Sequence, residues 1–219
     1  MCNHKHQSGF TLVELAIVLV IIGLLLGGVL KGQEMIENGK IKNLQNDVKG
    51  VTAAYYAYRD RYNAIPGDDP RALARWPAAA PAHMAVAATT GDGIVQTNNT
   101  WSACTAAAAA TENCQFMQDL RLAGLITGAA TPADPVNAYG GVIRVEQNTA
   151  AVTGMLVGLN LCFGNLPSKA AEALDSSFDD GNPATGNVRA VLGTPNIDPG
   201  AAAPASYIDP NTYTVCKLL

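Results

Sequence analysis

The chain is 219 residues long with a formal charge of −4, which leaves room for one membrane-length helix and one compact domain. From Asn63 onward seven Lys or Arg stand against thirteen Asp or Glu, a balance of −6. That sign argues against binding driven by a nucleic-acid backbone, which depends on cations that neutralise phosphate, and no specific nucleic-acid partner is expected.

A short leader, residues 1–9, carries His4, Lys5 and His6, a positive flank that favours the cytoplasmic side of a membrane. Gly9-Phe10-Thr11-Leu12-Val13-Glu14 follows, and residues 15–30 then run without another charge. An acidic group at the centre of a membrane helix costs about 2.5–3.5 kcal/mol, so one that persists in an apolar run usually has a partner. Plainer readings compete. A secretory signal needs a small-residue cleavage site after its apolar core, and Gly28-Val29-Leu30-Lys31-Gly32 is a poor one. An ordinary anchor fits the length, since residues 10–30 span about 32 Å as a helix, but it leaves Glu14 unexplained. Thr11 and Glu14 also have the Thr-x-x-Glu spacing of a capping box, which concerns local geometry and is compatible with any role of the helix.

The Gly-Phe-Thr-Leu-x-Glu segment, the apolar run and the basic leader together resemble the N-terminus of type IV prepilins and of the related pseudopilins of type II secretion. The resemblance implies that a dedicated peptidase cuts after Gly9 and that the new N-terminal Phe10 is methylated on nitrogen. It also implies that Glu14, beside Thr11, serves assembly by pairing with the Phe10 amine of a neighbouring subunit. The implied partners are other pilin subunits in a helical filament, the prepilin peptidase, the inner-membrane assembly platform and, before assembly, the lipid bilayer. The chain would sit in the inner membrane with its leader cytoplasmic, and later in a periplasmic or extracellular filament. A structural subunit of a type IV pilus, major or minor, is the leading expectation. A secretion pseudopilin and a membrane-tethered adhesin or DNA-uptake module are the alternatives. One departure stands out: many relatives carry a proline where this chain has Lys31, and only Gly23, Gly27, Gly28 and Gly32 are present to loosen the helix there.

No proline interrupts a helix over residues 10–62, since the first beyond it is Pro66. Residues 10–30 form its hydrophobic part and 31–62 an amphipathic continuation. There Ile41, Leu44, Val48, Val51, Tyr55, Tyr58 and Tyr62 recur at steps of three and four, the seam of a helix packed along one face. The stretch 63–70, with Pro66, Gly67 and Pro70, ends the helix and opens a head domain over 63–219. Residues 76–111, rich in Ala, Thr, Gly and Asn, have no period and read as a surface insert. The pattern predicts a short helix over 115–126 and strands over 141–147 and 151–161, joined at Asn148-Thr149, the second apolar enough to be central. A helix over 167–174 and strands over 186–192 and 212–218 complete the chain. The fold class is α+β and pilin-like, with a long N-terminal helix, a small antiparallel sheet against its distal half and a loop-rich C-terminal region.

Cys2 lies in the leader and would leave with it. Cys104, Cys114, Cys162 and Cys216 form an even set on the exported side, where disulfides persist. Four cysteines allow three connectivities. The expected pairs are Cys104–Cys114, closing a short loop, and Cys162–Cys216, tying the C-terminal segment to the sheet as the C-terminal disulfide does in many pilins. In the acidic loop 175–182, Asp175, Asp179, Asp180 and Asn182 offer oxygen ligands suited to a structural calcium. Some major pseudopilins bind calcium in a C-terminal loop, whereas a solvated turn accounts for the same residues. No other cofactor is expected. His83, the one histidine beyond the leader, has no nucleophile beside it, and no P-loop or dinucleotide glycine pattern occurs, so the chain is not expected to be an enzyme.

Overall fold

A computed structural model describes residues 11–77, 91–95, 104, 111–148, 156–193 and 203–219. Its elements in chain order are α1 (Leu12–Tyr62), α2 (Ala72–Arg75), α3 (Glu112–Leu122), β1 (Ile143–Asn148), β2 (Gly158–Pro167), α4 (Ser168–Phe178), β3 (Val188–Leu192) and β4 (Thr212–Leu218). The chain divides into two compact units, Met1–Lys40 and Ile41–Leu219. The first contains the apolar part of α1, whose described side chains are exposed from Thr11 to Lys31. An ion pair in it, Lys31 with Glu34 at 2.8 Å, lies on the surface and contributes little.

The second unit is built on the rest of α1. Leu44, Val48, Val51, Ala54, Tyr55 and Tyr58 are buried there, following the stripe that the sequence lays down at steps of three and four. They share one core with Phe116, Met117 and Leu120 of α3 and with Val145, Leu161, Phe163 and Val215 of the sheet. Burying a side chain of that size stabilises by about 1.5–3 kcal/mol. The sheet is antiparallel throughout in the order β1-β2-β4-β3. This makes β2 an interior strand, as its apolar run suggests. The fold is thus α+β, a long N-terminal helix with a small four-stranded antiparallel sheet.

Several boundaries move for physical reasons. The helix expected over 115–126 begins at Glu112 and ends at Leu122. It stops because Gly124 adopts φ +70°, with Leu125 N–H donating to the Leu120 carbonyl at 2.9 Å and Gly124 N–H to that of Arg121 at 3.0 Å. This paired pattern is a Schellman motif. The strand expected over 151–161 is β2, shifted toward the C-terminus. Residues 151–155 and Thr149 lie outside the described residues, and β2 continues past Leu161 through an irregularity between Phe163 and Leu166. Asn165 supplies it with φ 57°, a left-handed conformation that asparagine tolerates. The helix expected over 167–174 runs on to Phe178, with Pro167 at the capping position before it. The insert over 76–111 lies mostly outside the described residues.

The helix stop after Tyr62 does more than turn the chain. Asn63 takes φ 49° to close α1, and Gly67 at φ 85° lies against α3. A side chain at Gly67 would run into the Glu112 carbonyl, while its N–H donates to Asp119 Oδ2 at 2.7 Å. Asp68 accepts from Gly91 N–H at 2.8 Å and Gly93 N–H at 2.7 Å. Asp69 accepts from the Tyr58 hydroxyl at 2.9 Å and pairs with Arg75. Both carboxylates are buried and satisfied, so this acidic pair reads as a clasp and not as a ligand set.

Candidate functional site

Thr11 opens α1. The Glu14 carboxylate accepts from the Thr11 backbone N–H and from its hydroxyl, both at 2.8 Å, and the hydroxyl accepts from Glu14 N–H at 3.3 Å. This reciprocal pattern is a capping box, satisfying donors that a helix start leaves open. Both bonds from Thr11 land on Oε2. Among the described residues no cation pairs with Glu14. Gly9 and Phe10, the expected cleavage and methylation positions, lie outside the described residues.

Beyond Glu14 the side chains are apolar and exposed as far as Leu30. Among the described helices, α1 alone is long and apolar enough to cross a membrane. From Leu12 to Leu30 a helix rises about 29 Å, close to the roughly 30 Å hydrocarbon layer. A Cβ placed on Gly23, Gly27, Gly28 or Gly32 would meet nothing within 4 Å. No close approach among the described residues therefore requires glycine at these positions, although each weakens the helix by about 1 kcal/mol relative to alanine.

Residues 4–30 match the family model described as the prokaryotic N-terminal methylation motif. This is the prepilin-type signature of type IV pilins and pseudopilins, a structural and non-enzymatic family, and the match supports membership of it. With the apolar helix it points to a membrane-anchored precursor that meets a prepilin peptidase and other pilin subunits. No curated protein and no solved structure matches the chain.

Two disulfides are present, Cys104–Cys114 with an S–S length of 2.01 Å and Cys162–Cys216 at 2.02 Å. The second links directly opposed residues of β2 and β4.

In the acidic loop, Asp175, Asp179 and Asp180 bring carboxylate oxygens within 4.8 Å of one another. Each of these carboxyl groups already accepts hydrogen bonds. Asp175 accepts from the Tyr207 hydroxyl at 2.7 Å and Gly181 N–H at 3.2 Å. Asp179 accepts from the N–H groups of Asn187 and of Val188, and Asp180 from Asn182 N–H at 2.9 Å and the Thr185 hydroxyl at 2.5 Å. Asn182 directs its side-chain oxygen back to Ala184 N–H at 3.0 Å. The chain is wound around its own carboxylates, which is the geometry of a hydrogen-bonded turn. Burial pushes the Asp175 carboxyl above its ordinary value, and the Thr185 hydroxyl bond holds Asp180 below its own.

Three polar arrangements carry no sequence motif. Arg144 and Asp134 form a buried ion pair, and Asp69, Tyr58 and Arg75 form another buried group. The third is Asp47, half-buried on α1 beside the apolar stripe, whose carboxyl is raised above its ordinary value by burial. It lies three residues after Leu44 and four before Val51, a spacing that could have flagged it as a charge on the edge of the core-facing stripe.

Proposed function

We propose that the chain is a structural subunit of a type IV pilus, cut after Gly9 by a prepilin peptidase and N-methylated at Phe10. Its apolar helix holds it in the inner membrane with the leader cytoplasmic, and the same helix then enters the core of a helical filament through the assembly platform. The observation that carries this reading is the methylation motif over 4–30 leading into an apolar helix whose one acid, Glu14, meets no cation among the described residues. In the filament Glu14 pairs with the methylated amine of a neighbouring Phe10. Methylation keeps that amine charged, and a buried charge left without its partner costs about 3–5 kcal/mol, which favours one stagger of the helices over others. The chain has no enzymatic role, and calcium is not needed to close the loop 175–182.

The test is the intact mass of the membrane-extracted chain, made with and without a prepilin peptidase. A chain beginning at methylated Phe10 only when the peptidase is present is the expected result. A chain still beginning near Met1 beside an active peptidase would reduce the protein to a tethered domain. A secretion pseudopilin shares these processing steps and is separated from a pilus subunit by loss of exoprotein release, in place of loss of surface filaments, on deletion.

A further inference from the structure

We propose that a groove beside Asp47 receives the lysine face, Lys42 and Lys49, of a second copy of this chain, giving a head-to-tail contact; this rests on the filament reading above. The groove encloses about 310 Å³ between α1 and the segments at Leu125, Ile126, Pro135 and Ile143. Gly50 and Asp47 line it on the α1 side. A side chain at Gly50 would meet nothing within 4 Å, so the glycine serves no packing among the described residues and leaves the helix backbone open to an approaching group. Asp47 has neither a hydrogen bond nor an ion pair among the described residues, in a half-buried position where an unpaired carboxylate is disfavoured. Apolar walls with one carboxylate suit a lysine, whose methylene stem packs while its ammonium pairs.

The same helix supplies the complement. Lys42 and Lys49 are exposed and have no ion pair among the described residues. Seven residues apart, they share a face that lies about 140–160° around the helix axis from Asp47. A groove on one side and its complement on the other cannot close a two-fold dimer; they generate a ring or an open helical array. Between parallel copies, a stagger of about 7.5 Å sets Lys42 opposite Asp47.

The test uses the full chain carrying Cys2→Ala, expressed with the peptidase and assembly machinery. Asp47→Lys alone and Lys42→Asp with Lys49→Asp are each expected to lower the sheared filament fraction about tenfold, and the three together to restore it to within about twofold. Leader removal should be unchanged in all of them. Asp47→Asn, which keeps the shape and removes the charge, guards against misfolding and is expected to lower the fraction about threefold. Copies bearing Asp47→Cys should join copies bearing Lys42→Cys through a short thiol cross-linker. Unchanged filament fractions in the single reversals, or no gain on combining them, would overturn the contact. If the unaltered chain is cut but never enters filaments, the filament reading falls. The cross-link in membranes then decides the contact: a product requiring both cysteines upholds it, and none overturns it.

Discussion

At Glu14 two roles are superimposed, and one substitution separates them. The carboxylate caps α1 through Thr11, and in the proposed filament it also meets a neighbouring amine. Glu14→Gln retains an acceptor for Thr11 and loses only the charge, whereas Glu14→Ala loses both. A cap is worth about 1 kcal/mol and a buried charge stripped of its partner about 3–5 kcal/mol, so charge should dominate. Both variants are expected to insert and lose their leader normally, yet to enter filaments poorly and to similar extents. A Gln variant that assembles like the unaltered chain would leave Glu14 as a cap alone. At Asp175 the sign of the pH dependence is fixed by burial, which raises its carboxyl in the folded state. Folding therefore favours the protonated form, and its share of stability falls as pH rises through the folded value. Asp175→Asn should match the unaltered chain in acid and gain on it toward neutral pH in thermal melts. Asp175→Leu should cost about 1–3 kcal/mol at any pH by stranding the Tyr207 hydroxyl. Because the loop's carboxylates already bind its own N–H and hydroxyl groups, millimolar calcium should leave the melting temperature unchanged; a clear rise would make the cluster a cation site.

Among the elements, α1 and the sheet hold the head together in different ways. Leu44→Ala, at a fully buried position on the α1 stripe, should destabilise by about 2–5 kcal/mol in urea unfolding. The two disulfides should differ in weight, because Cys162–Cys216 spans 54 residues and Cys104–Cys114 only 10. On the loop-closure account, removing the longer link should cost about 1.5 kcal/mol more than removing the shorter. Equal losses would place the effect in local packing instead. The α1 stripe was legible in the sequence because its period is regular and its members from Leu44 to Tyr62 meet one core. Strand β4 was legible because a short apolar alternation ends the chain order with turn residues before it. The end of α3 was missed because the decisive signal, Gly124, sits inside a run whose apolar residues, Leu125 and Ile126, seem to continue the helix. The length of β2 was missed because Gly164-Asn165 looks like a turn, while the sheet absorbs it as a bulge. Arg144 with Asp134 and Asp175 with Tyr207 were out of reach because partners 10 and 32 residues apart are joined only by the tertiary fold.

For the whole molecule, the two units carry different burdens: residues 1–40 supply the membrane-length apolar segment, and residues 41–219 hold the packed core and the grooved surface. The N-terminal motif was fully legible because it is contiguous in sequence and needs no folded context to be recognised. The Asp47 groove was not, since its α1 wall lies about 75 or more residues before the facing wall in sequence, and only folding brings the two together. One feature of the sheet governs when the head becomes whole. In the order β1-β2-β4-β3, β4 is the last of the described strands and joins β2 to β3. In the proposed topology the leader stays cytoplasmic and the head crosses from Asn63 onward, so β2 and β3 emerge before β4, with nothing yet between them. On that reading their facing edges wait for Thr212–Leu218, and the sheet closes only once residues 63–211 have crossed. The proposed anchoring by α1 would keep each unfinished head on its own tether during that interval, separated from others with the same open edges.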